Sequence, residues 1–243
     1  MTNKPANQSE TSKATSRVKR VLIACEESQT VCIAFRKLGI EAYSCDILPC
    51  SGGHPEWHIQ GDAITEAYSG KYDMMIAHPP CTYLSVVAAK HLYGGGVLNQ
   101  ERYKKGVEAA EFFTKLLDAP IPIVCVENPT QFKIFGLPKY DQIIHPYYFG
   151  EPYQKRTCLW LKGLPQLEYD KSKAVKPPPL FILNGKKGFG KPINWVEGIK
   201  GMSAAERQKA RSKTFQGIAD AMASQWSCID GIYKFEDGKW TML

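Results

Sequence analysis

The sequence contains no apolar run approaching the roughly 18 residues that a membrane-spanning helix requires. No membrane partner is therefore expected. The first twenty residues hold no apolar stretch ahead of a cleavage site, so no secretory signal is expected there either. No internal repeat is visible. Glycine is missing from the whole segment between Ala24 and Leu38, so the loop after the first apolar run lacks the G-x-G-x-x-G fingerprint of a dinucleotide fold. What is present is ordinary for a globular chain: 44% hydrophobic, 23% charged and 11% aromatic residues over 243 positions. That length suffices for one α/β domain with a full core, or for a domain with a small appendage. A net charge of +7 mildly favours a polyanionic partner. The eight cysteines, several of them inside apolar runs, read as reduced cytosolic thiols rather than a disulfide framework.

Residues 1–17 are almost devoid of apolar side chains and read as a disordered tail. Arg20–Cys25 is a short β-branched run of the kind buried in parallel sheets. Helical spacing follows through Val31, Ala34, Phe35 and Leu38, and Gly39 stands where a helix stops. Glu41–Asp46 reads as a second strand ending on an acid. A loop through Ser51-Gly52-Gly53 leads to His58–Asp62 and a short helix-like piece. Tyr72–Ala77 reads as a third strand, broken by Pro79-Pro80. Val107, Ala110, Phe113, Leu116 and Leu117 predict a helix over 100–117. Ile121–Val126 reads as a fourth strand ending on Glu127-Asn128-Pro129, and Thr157–Leu161 as a later one. Strands alternating with helices predict an α/β, doubly wound, mostly parallel sheet with helices on both faces. The expected organisation is a core over 18–164, a basic loop-rich insert over 165–202 and C-terminal helices over 203–243 that pack back on the core and end in a short tail. The first of those helices is expected near Ser203, with Glu206 as its capping-box partner.

Ligands of open parallel sheets bind at the carboxyl ends of the strands. Four predicted strands end on reactive or polar residues: Cys25-Glu26-Glu27-Ser28, Asp46, His78-Pro79-Pro80-Cys81 and Glu127-Asn128. Asp46 is placed to accept hydrogen bonds from ribose hydroxyls, or else to cap a turn. Asp62 is placed near an adenine amino group, or else in a plain turn. Cys25, Cys125 and Cys158 read as small core residues. Cys45, Cys50, His54 and His58 are close in sequence, but their spacing fits no common zinc finger. No metal is expected.

The ordered set of strand–Asp46, Gly61-Asp62, Pro79-Pro80-Cys81-Thr82, Glu127-Asn128-Pro129 and Gln154-Lys155-Arg156 resembles the DNA cytosine-5 methyltransferase family. The phrases Ala24-Cys25-Glu26, Ala77–Leu84, Val126–Pro129 and Thr157–Leu161 are similar to small phage and prophage cytosine methyltransferase-like proteins. The likeness spans Val21–Leu161 and resumes at Phe215–Trp226. It implies the Rossmann-like methyltransferase type of sheet, S-adenosylmethionine as cofactor, DNA as partner and a cytoplasmic location, the host's if the chain is phage-encoded. It implies Cys81 as the nucleophile, Glu127 as the acid, Asn128 as the residue that orients the loop, and Arg156 with Gln154 as contacts to the base. Cys25, Glu26, Glu27, Ser28, Asp46, Ile47, Asp62, Ala63 and Pro79 are the implied cofactor contacts.

That chemistry suits these residue types. A thiolate adding at cytosine carbon 6 makes carbon 5 enamine-like, able to take a methyl group. Such a thiolate needs nearby positive charge or a helix N-terminus. Holding a proton at ring nitrogen 3 calls for a carboxyl raised above its usual range by a closed pocket. Two departures stand out. The family's Phe-x-Gly-x-Gly loop is replaced by Cys25-Glu26-Glu27-Ser28, and its large recognition domain by the short insert. A duplex acceptor requires the cytosine to be flipped out. Lys186, Lys187, Lys191 and Lys209–Lys213 are then candidates for phosphate contacts, and Trp195 or Phe189 for filling the gap. The alternatives are a free cytosine nucleotide as acceptor, transfer of a different group, or an inactive nucleic-acid-binding protein on the same scaffold.

Overall fold

Short apolar runs separated by amphipathic segments can bury their side chains only by stacking into a sheet covered on two faces. The structure, a computed structural model, describes residues 18–94, 96–153, 155–170, 172, 174–175, 203, 213–228, 233–236 and 239–242. In chain order its elements are β1 (Arg20–Ala24), α1 (Thr30–Lys37), β2 (Glu41–Asp46), β3 (His58–Gln60), α2 (Ala63–Ala67), β4 (Met74–Ala77), β5 (Tyr93–Gly94) and β6 (Val97–Leu98). They continue with α3 (Gln100–Leu117), β7 (Ile123–Asn128), β8 (Gln142–Ile144), β9 (Thr157–Lys162), α4 (Gln216–Trp226), β10 (Tyr233–Glu236) and β11 (Lys239–Met242).

The main sheet has seven strands in the order β3-β2-β1-β4-β7-β9-β8. From β3 to β7 every pairing is parallel, whereas β9 runs antiparallel to both its neighbours. Central strands of such a sheet are apolar on both faces, and all of β4 and β7 is buried. Alternation along β1 sends Val21 and Ile23 to one face, where Phe35 of α1 and Met222 and Trp226 of α4 meet them. Leu22 and Ala24 face the other side, with Phe113 and Leu116 of α3. The sheet is thus α/β, mixed but mostly parallel, with helices on both faces and compatible with a Rossmann-like fold.

Predicted β2 and α3 match the structure, and predicted α1 and β1 differ only at their ends. Three further features bear on the sheet and the core. The later strand β9 is antiparallel, because β8 and β9 follow one another without a crossover helix to turn the chain around. Just past 165 the chain still packs on the core: Leu167 is 2% exposed, and Gln142 brackets it with side-chain bonds to its N–H and carbonyl. Trp226 Nε1 also donates to the Pro165 carbonyl at 3.1 Å. Beyond α4, β10 and β11 pair antiparallel. The tail over 1–17, the rest of the insert with its lysines and aromatics, and the capping box at Glu206 lie outside the described residues.

The first loop shows how the chain manages without glycine. Cys25 (φ 59°) and Gln29 (φ 57°) both take the left-handed conformation that side chains usually avoid. Gln29 holds its strain because its wholly buried amide donates to Ser44 Oγ and the His54 carbonyl and accepts from His54 N and Cys50 Sγ. The 46–57 loop is thereby fastened over the start of α1. Gly52 is the point of closest approach, since a Cβ there would lie 2.5 Å from Gln29 Cβ and 2.6 Å from the Ser28 carbonyl oxygen. Gly52→Ala should therefore cost about 1–3 kcal/mol by overpacking, read as a lower urea midpoint with an unchanged m-value.

Candidate active site

The switch point of the strand order lies between β1 and β4, and the carboxyl ends of β2, β1, β4 and β7 line one edge beside it. β4 and β7 are adjacent and in register, Ala77 opposite Val126, so His78 and Glu127 follow as neighbours. Beyond them the chains stay tied. Asn128, 1% exposed, donates from Nδ2 to the Pro79 carbonyl at 2.7 Å and accepts from Gln131 Nε2 at 2.5 Å. The Phe132 amide then donates to the Leu84 carbonyl at 2.7 Å, and Val86 N to the Thr130 carbonyl at 2.9 Å. The turn bearing Cys81 is thus clamped between the end of β4 and the loop after β7. Cys81 is half-buried, and its carbonyl accepts from Leu84 N and Ser85 N. Arg102 of α3 reinforces the turn from outside, donating to the Thr82 carbonyl at 3.1 Å with its guanidinium 5.0 Å from the centre of the Tyr83 ring.

Glu127 lies at the bottom of this edge. Its Oε2 accepts from His78 Nδ1 at 2.8 Å, with side-chain exposures of 9% and 7%. Burial pushes the carboxyl up, but the Lys155 ammonium and the His78 hydrogen bond outweigh it and hold the group below its ordinary value. The expectation of a raised carboxyl is therefore reversed. Two residues given no role from sequence, His78 and Lys155, are responsible. Lys155 arrives because β9 is antiparallel, pairing Asn128 with Cys158 and so bringing its beginning to the edge where the parallel strands end. Arg156 comes to the same edge but is exposed and donates to the Tyr140 hydroxyl at 2.9 Å. The cation acting on Glu127 is Lys155, one position earlier. Gln154 lies outside the described residues.

A testable consequence concerns stability. A carboxyl lowered in the folded state stabilises the protein above the ordinary glutamate range, and this contribution disappears as pH falls through the lowered value. Lys155→Met removes one lowering influence from Glu127. It should flatten the loss of stability as pH falls below the ordinary glutamate range, seen by comparing urea midpoints from neutral pH down to about pH 3.

On the side of β1 and β2, the implied cofactor residues divide. Asp46 ends β2 with one oxygen accepting from Leu48 N at 2.9 Å, and burial raises its carboxyl. Beside it Ile47 is 75% exposed and Leu48 53%, an apolar surface at a strand end. These two features fit a ribose and an adenine face. Asp62 instead caps α2: its oxygens accept from Ile64 N, Thr65 N and Thr65 Oγ1, a use that sequence alone left open. Ala63 and Pro79 are buried. Glu26 accepts from Val31 N at 2.7 Å and Cys32 N at 3.2 Å, so its carboxylate serves the start of α1. Glu27 takes the Ser51 hydroxyl and amide, and Ser28 Oγ lies 3.3 Å from Thr30 Oγ1. Cys25 sits just past β1 rather than within it, while Cys125 and Cys158 are wholly buried in their strands. Burial and neighbouring Asp46 push the Cys25 thiol up. That disfavours its thiolate, the nucleophilic form.

The four residues weighed as zinc ligands look elsewhere. Cys45 Sγ donates to the Gly61 carbonyl and Cys50 Sγ to Gln29, His58 bridges Ser44 and the Leu48 carbonyl, and His54 stacks on Trp57 at 3.9 Å. Among the described residues no group of three or more His, Cys, Asp or Glu side chains converges on a metal position. No helix among them is long and apolar enough to cross a membrane.

Compared with known proteins, the chain matches no family model and no curated sequence.

Proposed function

We propose that this chain is a DNA cytosine-5 methyltransferase that uses S-adenosylmethionine and a covalent Cys81 adduct. The observation that carries the reading is the clamp between β4 and β7: the Asn128 amide on the Pro79 carbonyl holds the Cys81 turn beside buried Glu127. A nucleophile and a carboxyl on adjacent strand ends next to the switch point are what covalent pyrimidine chemistry needs. The methyltransferase type of Rossmann-like sheet, and the likeness to small phage and prophage proteins, belong to the same proposal.

In this reading Asp46 holds the ribose of the cofactor and Ile47 covers its adenine, while the left-handed Cys25 turn borders the methionine end. The cofactor supplies an electrophilic methyl group when bound. Cys81 adds at carbon 6 of the base, Glu127 meets the nitrogen edge of the ring, and Asn128 keeps both in place. Lys155 and Arg156 supply positive charge at the rim, and Arg102 fixes the turn that follows Cys81. Elimination of Cys81 after loss of the carbon 5 proton returns the enzyme.

The test is transfer of tritiated methyl from S-adenosylmethionine to duplex DNA, single-stranded DNA and dCMP in parallel, with Cys81→Ser as control. Transfer to duplex or single-stranded DNA that vanishes in the variant supports the reading. Transfer confined to dCMP moves the substrate to free nucleotides, the better fit to so small an insert. Salt-dependent DNA binding with no transfer and no cofactor affinity by calorimetry overturns the enzymatic reading.

A further inference from the structure

His78 is nine-tenths buried, donates its only hydrogen bond from the ring to Glu127 Oε2 at 2.8 Å, and leaves Nε2 without a partner among the described residues. We propose that His78 is a positioning residue for Glu127, fixing one carboxylate oxygen and making the histidine–glutamate pair the unit that carries the proton for the substrate. This deepens the methyltransferase reading of Glu127 and rests on it.

The need for such a partner follows from the charge of the site. Lys155 and the His78 hydrogen bond hold Glu127 below its ordinary value, which disfavours a proton on the carboxyl itself. Histidine is the side chain whose charge changes between about pH 5 and 8. The two groups lie 2.8 Å apart, close enough to share one proton. The charged or titratable groups facing the pair come from four directions: Glu26 from the turn after β1, Cys125 from β7, Cys158 from β9 and Lys155 from the segment ahead of β9. Glu26 is already satisfied by the α1 amides, and Lys155 offsets one negative charge. His78 fixes Oε2, so the orientation of the carboxylate toward the base is set by that hydrogen bond.

The proton count closes. As the Cys81 thiolate bonds to carbon 6, the ring electron pair displaced from the carbon 5–carbon 6 bond moves through carbon 4 to nitrogen 3. One proton leaves the pair to meet it, and the pair ends with one proton fewer. When elimination restores the ring, that proton returns to the pair, and the carbon 5 proton leaves separately to solvent.

Two measurements test the proposal. The first needs no substrate: carbon-13 NMR of the Glu127 carboxyl across pH in the wild type and in His78→Leu. Losing the donor should move the Glu127 titration upward by about one pH unit or more, and an unmoved signal overturns the proposal. The second is single-turnover methyl transfer against pH for the wild type and His78→Asn, which keeps a donor near Oε2 but cannot ionise. The high-pH fall in rate should shift at least about one pH unit lower in His78→Asn. Profiles of identical shape that differ only by a constant factor overturn the proposal, because a purely structural role predicts that result. If the wild type transfers no methyl group while the Glu127 signal responds to His78, the methyltransferase reading fails and the positioning role stands.

Discussion

Cys81→Ser should lower methyl transfer by at least about a thousandfold while leaving cofactor affinity and the unfolding midpoint within error. The size follows from the chemistry. Removing the nucleophile from a covalent mechanism leaves only the binding and positioning contributions of the site. A serine hydroxyl is far harder to ionise than a thiol, so it is a poor replacement for a thiolate as the attacking group. The fold should tolerate the change. The turn is held by the Cys81 carbonyl, by Asn128 on Pro79 and by Arg102 on Thr82, none of which involves the sulfur. Radiolabel incorporation, calorimetry with S-adenosylmethionine and a urea titration check the three parts. Robust transfer by the serine variant removes Cys81 from the role proposed.

Trp226→Ala should be the most destabilising single truncation of α4, at about 3–5 kcal/mol. The ring is wholly buried in the core cluster that holds β1, α1 and β4 residues, and its Nε1 donates to the Pro165 carbonyl. Truncation opens a cavity in that cluster and leaves the Pro165 carbonyl without its donor. Beside it the Gln225 side chain accepts from Glu168 N and donates to the Glu168 carbonyl, fastening the 165–168 segment to α4. The variant should therefore loosen both the C-terminal helix and the start of the insert. Hydrogen exchange should show faster exchange of α4 amides, together with a fall in the urea midpoint. An unfolding free energy within about 1 kcal/mol of the wild type overturns the assignment of α4 to the core.

Helix and strand identity were legible because periodicity is local. Val107, Ala110, Phe113 and Leu116 announce α3, and Glu41–Asp46 announces β2 to the residue. β3 and β8 escaped because three residues are too few to show alternation. The strand ends bearing Cys81, Glu127 and Asn128 could be read in order, since a polar residue after an apolar run marks an edge. What each polar side chain does there could not be read, because a carboxylate's partners come from distant segments. Asp62 and Glu26 illustrate this: both stand where a cofactor contact was expected, and each spends its oxygens on helix amides. Asp46 and Ile47 keep an outward face.

The sequence by itself determined that two layers of helix cover an apolar, mostly parallel sheet, and that its reactive residues lie at strand ends. Hydrophobic periodicity and proline placement act over a few residues and need no knowledge of neighbours. Only the tertiary structure decided the direction of β9, and with it the arrival of Lys155 beside Glu127. It also decided that His78 donates to that carboxylate. Charge state is a property of the assembled neighbourhood, since burial, an ammonium and a hydrogen bond contributed by separate strands act on one carboxyl with opposing signs.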